Sequence, residues 1–187
     1  MKPPLLTIVT GNSLKFEEMS LGLSSYFSCI QGTLSDYQEI QGTPEDILRH
    51  KLAASYESFK GPVLAEDTSF HIDSLKGFPG PYIKDFTIAL TIAGIGKRFV
   101  GESGRIVSWM GLAYSKDDMI LVQGGVDGII TEAVKLDAND PLNFDSIFIA
   151  SGHEKTFIEM TKEEKNTCSH RGNAMRALMN ELKTKNI

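Results

Sequence analysis

The first third of the chain alternates short apolar runs with capped helical segments, and this alternation constrains the fold more than any other feature. Leu5–Thr10 reads as a short buried strand, because a brief apolar run bounded by turn residues suits a strand covered on both faces. Gly11-Asn12-Ser13 breaks it. Leu14–Leu23 then reads as a helix that Asn12 or Ser13 can cap. A weaker strand covers Phe27–Thr33. Thr43-Pro44-Glu45-Asp46 is a helix start: a capping hydroxyl, a proline where no N–H is needed, then acids at the positive end of the dipole. That helix should reach about Phe59, before Gly61-Pro62 stops it. Val63-Leu64-Ala65 follows as a second short core strand, ending in Glu66-Asp67-Thr68.

The rest of the chain is richer in strands. Gly77-Phe78-Pro79-Gly80-Pro81 is turn chemistry throughout, and a helix over Tyr82–Ala93 comes after it. Arg105–Ser115 and Met119–Gly125 alternate apolar and polar residues about Lys116-Asp117-Asp118, which predicts a hairpin. Val126–Val134 continues as strand, Asp137–Asn143 is a polar loop and Ser146–Ala150 is a short strand. Thr161-Lys162-Glu163-Glu164 is a capping box opening a short helix, and Ser169–Lys183 is the final helix. No repeat or linker interrupts the 187 residues. The expectation is an α/β fold with a mixed sheet and flanking helices, as a single domain over 1–187. A body of this length hides roughly 70% of its unfolded surface, so it needs no disulfide or metal to fold.

Composition narrows the partners. Nineteen Lys and Arg against 24 Asp and Glu leave a net charge of −5, which argues against bulk nucleic acid or an anionic membrane as partner. Cys29 and Cys168 stand far apart and outside any CxxC pair, so reduced thiols are expected. No apolar run approaches the ~20 residues of a membrane helix, and the N-terminus lacks a signal-peptide core. A soluble, cytoplasmic protein is expected.

Four stretches are candidates for chemistry. Thr10-Gly11-Asn12-Ser13-Leu14-Lys15 joins a strand to a helix through a glycine turn, where free N–H groups, the helix dipole and a lysine can hold an anion. An ordinary capped turn is the alternative. Glu66-Asp67-Thr68 puts two acids at the end of a core strand, where oxygen ligands suit Mg²⁺ bridged to a phosphate; a solvated strand end is the alternative. Lys84 follows the stiff Gly-Pro turn and sits in a first helical turn, against the dipole, which fits a lysine that serves an anion or one that is merely exposed. Finally, Lys165, His170 and Arg171 gather where a helix start would prefer acids, offering donors for phosphate or a purine edge; a core or surface histidine is the plain reading of His170. His50, His71 and His153 have no zinc-ligand spacing, and no GxSxG elbow is present.

Taken in chain order, these stretches resemble the inosine triphosphate pyrophosphatase (Ham1-like) family. The similarity rests on TGNSLKFEE at 10–18, EIQGTPEDI at 39–47, GPVLAEDTSF at 61–70, GFPGPYIKDF at 77–86, a weaker LNFDSIF at 142–148, and FIEMTKEEKNTCSHRGNAMRAL at 157–178. It spans nearly the whole chain. The resemblance implies an elongated α/β body whose two lobes flank a central nucleotide-binding cleft, usually as a homodimer. It implies Mg²⁺-dependent cleavage of ITP, dITP and XTP to monophosphate and pyrophosphate, with Mn²⁺ as a substitute. By that likeness Thr10–Lys15 is the triphosphate turn, and Glu39 and Asp67 are the metal acids, Asp67 also acting as base. Lys51 and Thr68 face the substrate, Lys84 holds phosphate, and Lys165, His170 and Arg171 hold the nucleotide and read its 6-keto edge.

One stretch departs from the family. Where it usually reads Phe-Gly-(Trp/Tyr)-Asp, this chain has Leu142-Asn143-Phe144-Asp145. The aromatic that covers the base is replaced by Leu142, at a cost of about 1–3 kcal/mol of stacking. Two alternatives therefore stand beside the main one: a catalytically impaired nucleotide-binding module, and a pyrophosphatase for a different modified nucleotide.

Overall fold

The computed structural model describes residues 2–136 and 143–185. Its seven strands and six helices follow the order β1 (Leu5–Val9), α1 (Ser13–Leu23), β2 (Ser28–Gly32), α2 (Pro44–Phe59), β3 (Val63–Ile72), β4 (Pro79–Gly80), α3 (Ile83–Leu90), α4 (Ile92–Arg98), β5 (Ser103–Ala113), β6 (Met119–Ile130), β7 (Phe148–Ala150), α5 (Lys162–Cys168) and α6 (His170–Thr184). The strands form one sheet in the order β2-β1-β3-β5-β6-β7, with β4 paired to β3. β1 runs parallel to β2 and β3, whereas β3–β4 and β6–β7 are antiparallel. The mixed α/β sheet expected from the sequence is thus present.

The helix starts behave as capping chemistry requires. Asn12, not Ser13, caps α1, its side chain accepting from the N–H groups of Leu14 and Lys15. Thr43 and Asp46 form a reciprocal capping box on α2, with Pro44 at the first position, and α2 ends at Phe59 as expected. Lys60 follows in the left-handed region and terminates it.

Several boundaries differ from the sequence reading. The strand expected over Val63–Ala65 continues to Ile72, so Glu66, Asp67 and Thr68 lie within β3 and not at its end. Both faces of β3 are covered, and pairing with β4 extends it beyond its apolar start. The helix expected over Tyr82–Ala93 breaks at Thr91, whose backbone φ is 61°. There Thr91 ends α3 and restarts the chain as α4, its hydroxyl accepting from Gly94 N–H. The strand expected over Val126–Val134 is the end of β6 and stops at Ile130, and Ser146–Ala150 is strand only from Phe148, after a 3₁₀ turn over Phe144–Ser146. The expected 137–143 loop lies, except for Asn143, outside the described residues.

The chain divides into two compact units. The first comprises the chain up to Asp67, Trp109–Gln123 and the stretch from Ala174 on. Its core has two apolar clusters: Leu6, Ile8, Met19, Leu23 and Leu64 with Leu178 and Leu182 of α6, and Val9, Val63, Ala65 and Ala113 with Leu48 and Leu52 of α2. At Gly111 a Cβ would collide with the Leu52 side chain, so α2 can approach β5 because that position carries no side chain. The second unit comprises Thr68–Ser108 and Gly124–Asn173. Its core gathers Phe70, Ile95, Ile106, Ile147, Phe148 and Phe157. His71 braces the Gly-Pro turn of this unit: one ring nitrogen bonds Gly77 O at 3.1 Å and the other the Ser69 hydroxyl at 2.9 Å.

Candidate functional site

The first unit assembles one charged neighbourhood from three elements. β1 ends at Val9, and the turn to α1 is held by Thr10, whose hydroxyl accepts from Asn12 N–H at 3.1 Å. Gly11 is exposed and a Cβ there would meet nothing within 4 Å, so the space above the turn is open. Ser13 and Leu14 are exposed on the first turn of α1. Lys15 turns back from that helix and donates to Glu66 on β3 at 2.7 Å. The Glu66 side chain is only 1% exposed, so this contact satisfies a carboxylate that water barely reaches. Lys51, on the middle of α2, donates to the backbone carbonyl of the same Glu66 at 3.2 Å.

Asp67 feels all of these charges. Burial pushes its carboxyl up to about 6; Lys51 and Lys15 oppose the rise, while Glu66 and Glu39 add to it. Glu39, on the exposed segment before α2, therefore shares a field with Asp67 despite the 27 intervening positions in sequence. Three carboxylates face two ammonium groups, and one of those two is spent on Glu66. The half-buried Asp67 is left short of positive charge.

That imbalance is the test of fit for a divalent cation. Among the described residues no group of three or more Asp, Glu, His or Cys side chains is gathered closely enough to hold a metal. Mg²⁺ makes a smaller demand than a cage of three or more side chains, taking one or two carboxylates and completing its shell with water and substrate phosphates, and two carboxylates such as Glu39 and Asp67 are of the right chemistry for it.

Sequence reasoning missed Tyr37 and its partner His50. The phenol is pushed up to about 12, by burial first and then by Glu39 and Asp67. Tyr37 Oη and His50 Nδ1 are hydrogen-bonded at 3.3 Å. The signal was long-range, linking an irregular segment to a helix, and no local pattern marks it.

The second unit carries a different cluster. Asn143 caps the 3₁₀ turn, accepting from Asp145 N–H at 3.0 Å, which gives the asparagine at this position a structural task. The turn presents Phe144 and buries Asp145, which accepts from Lys165 Nζ at 2.5 Å. Lys165 also lies 6.0 Å over the Phe157 ring. His170 is buried with its ring 5.8 Å from Phe144 and 6.1 Å from Phe157. Arg171 is buried beside it.

Here the sequence reading needs correction. Lys165, His170 and Arg171 do not all begin one helix. Lys165 lies in the last turn of α5, where the dipole favours a cation, and only His170 and Arg171 open α6 after the break at Ser169. Thr68 is buried on β3, and Lys84 is exposed in the first turn of α3. Lys84 is joined by no described contact to the Asp145–Lys165 cluster. Leu142 lies outside the described residues.

Comparison with known proteins gives a consistent result. A sequence model of the Ham1 family matches residues 6–181. An inosine triphosphate pyrophosphatase of Emericella nidulans is 38% identical over 176 residues, covering 91% of this chain and 92% of that protein. One from Candida albicans is 34% identical, covering 91% of this chain and 94% of its own length. Among solved structures, a Ham1 protein from Coxiella burnetii superposes with a TM-score of 0.79 at 21% identity, over 97% of this chain and 99% of that one.

Proposed function

This chain belongs to the Ham1 family, and on that premise we propose that it is a nucleoside triphosphate pyrophosphatase for non-standard purine nucleotides. Its substrates are ITP, dITP and XTP, and its products the monophosphate and pyrophosphate. The observation that carries this reading is the charged cluster around half-buried Asp67: Lys15 Nζ donates to Glu66 at 2.7 Å and Lys51 Nζ to the Glu66 carbonyl at 3.2 Å, with Glu39 close enough to act on Asp67.

The chemistry assigns each group a task. Thr10–Lys15 offers open backbone N–H groups at a helix start to the triphosphate. Glu39 and Asp67 would hold Mg²⁺, or Mn²⁺ in its place, and the ion when bound neutralises phosphate charge. Lys51 adds positive charge beside Asp67. Asp67 accepts a proton from the attacking water, whose oxygen bonds to phosphorus as the bridge between the α and β phosphates breaks. Lys84 holds phosphate, Thr68 touches substrate, and Lys165, His170 and Arg171 donate to the nucleotide, with Phe144 and Asp145 shaping that end. A donor aimed at O6 meets another donor in adenine's amino group, and such mispairing of buried polar groups rejects ATP.

The homodimer and cytoplasmic setting belong to the same proposal. No described helix is long and apolar enough to cross a membrane. The test is incubation with ITP, XTP or ATP and Mg²⁺, following products by phosphorus NMR. Monophosphate plus pyrophosphate from ITP and XTP, with ATP far slower, is expected. Orthophosphate as the sole inorganic product would overturn the bond assignment, and tight ITP binding without turnover would favour the non-catalytic module.

A further inference from the structure

Glu39 sits in an awkward place for a ligand. The stretch between β2 and α2 has no helix or strand over residues 33–43, and Glu39 itself is exposed. A carboxylate on such a stretch holds a cation weakly unless something fixes the backbone beneath it. Leu34 packs on the apolar cluster of Val9 and Leu48 at one end, and the Thr43 capping box closes the other. Between them, Tyr37 reaches α2. Its hydroxyl is 3.3 Å from His50 Nδ1, and its ring is 5.6 Å from the imidazole at a tilt of 34°. Both side chains line an open concavity of about 580 Å³ between the stretch and the helix. His50 directly precedes Lys51, the helix residue that donates to Glu66.

We propose that Tyr37 is a positioning residue for Glu39: by clipping onto His50 it holds the irregular stretch against α2, so that the Glu39 carboxylate is in place for the cation before the cation arrives. This rests on the reading that Glu39 and Asp67 bind a divalent ion. The clip has two parts, a hydrogen bond and a ring contact. Removing the hydroxyl alone therefore loosens the stretch without unfolding the unit, whose core is built elsewhere.

The experiment uses Mn²⁺ as probe and the full chain without nucleotide, with binding read by electron paramagnetic resonance. Tyr37→Phe should weaken Mn²⁺ binding about two- to tenfold, the worth of one ordinary hydrogen bond. With ITP present, the metal concentration for half-maximal turnover should rise by the same factor while kcat at saturating metal stays unchanged. The thermal midpoint should stay within about 2 °C. His50→Ala, which removes the ring contact as well, should weaken Mn²⁺ binding at least as much as Tyr37→Phe, and the double variant should lose little more than His50→Ala alone, because the hydroxyl's bond is already gone there. Wild-type Mn²⁺ affinity in Tyr37→Phe, or fully additive losses in the double variant, would overturn the proposal. Glu39→Gln separates the failures. If it abolishes Mn²⁺ binding while Tyr37→Phe leaves it intact, the clip is wrong and the metal pair stands; if it leaves Mn²⁺ binding intact, both readings fall.

Discussion

The two units each gather charged side chains, and they settle their charge in opposite ways. In the first, Glu39, Glu66 and Asp67 stand with Lys15 and Lys51, and burial above all, with Glu66 and Glu39 adding to it against the two lysines, raises the Asp67 carboxyl to about 6. In the second, one carboxylate, Asp145, is matched by Lys165, with Arg171 and His170 beside them among Phe144 and Phe157. On the proposed function a cation would complete the first neighbourhood. The second pairs its carboxylate with Lys165 beside the Phe144 and Phe157 rings. A protein that handles a nucleoside triphosphate needs both kinds, since phosphates arrive with metal and a base is read by donors and stacking.

The sharpest way to break this contrast is at Asp67. Asp67→Asn keeps the shape and removes both the charge and the proton acceptor. Turnover of ITP should fall by about 10²- to 10⁴-fold. Unchanged turnover would remove Asp67 from the mechanism. The same variant should be more stable than wild type when metal is absent at pH 7. The shift from 3.8 to about 6 corresponds to roughly 1–3 kcal/mol after allowance for partial exposure. Chemical denaturation in EDTA would measure that gain, and a loss of stability would contradict a cost of burying the charged Asp67 carboxyl.

At the second neighbourhood the sign reverses. Lys165→Met leaves Asp145 buried without its partner, the two side chains being 15% and 12% exposed in the pair. Stability should drop by about 2–3 kcal/mol. Adding back the neutral partner, in the double variant Lys165→Met/Asp145→Asn, should recover most of it. If the single variant is as stable as wild type, the pair is worth nothing and the comparison fails.

A gentler probe is pH. Unfolded Asp67 ionises near 3.8 and the folded group near 6, so between those values the folded state binds more protons. The sign follows: metal-free stability attributable to Asp67 falls as pH rises from about 4 to 6, and the cost is fully present above that. Measuring stability across this window in EDTA, wild type against Asp67→Asn, should show a downward slope in wild type that the variant lacks. Equal slopes would mean that the carboxyl titrates as it does in the unfolded chain.

The two neighbourhoods also differ in how legible they were. α1 and α2 were readable almost to the residue, because Asn12 and the Thr43–Asp46 box announce their starts through local hydrogen bonds. The length of β3 was not, since Thr68, Ser69 and His71 look like a strand end. The stretch lies between neighbours in the sheet, with β5 beside β3 and with Phe70 and His71 paired to Gly80 and Pro79 of β4, and none of these partners is marked in its own residues. Thr91 could have been read, as a threonine three residues before Gly94 is cap chemistry; the break hid inside an apolar pattern. For the site, likeness to a known family supplied the residue set, and only coordinates could show that Lys15 is committed to Glu66, that Lys165 and His170 belong to different helices, or that Tyr37 meets His50.

The smallest expected effect uses one device present in both units. Thr43 caps α2 and Thr161 caps α5, each in a reciprocal box, with Asp46 and Glu164 respectively. α2 runs 16 residues and buries Ile47, Leu48, Leu52 and Ser55. Its start is coupled to the core, so Thr43→Ala should lower global stability by about 1 kcal/mol. α5 has 7 residues, none fully buried, and meets the core only through Cys168 and the Lys165–Asp145 pair, so the same change at Thr161 is less coupled to the core. Thr161→Ala should move the unfolding midpoint less than Thr43→Ala does. It should instead speed amide exchange on Glu164–Cys168 about fivefold, which hydrogen exchange would read directly. Lys165 rides on that helix, so KM for ITP should rise modestly while Mn²⁺ binding is untouched. A midpoint shift at Thr161 as large as that at Thr43 would show that the start of α5 is coupled to the core as tightly as the start of α2, and the contrast between the two caps would have to be given up.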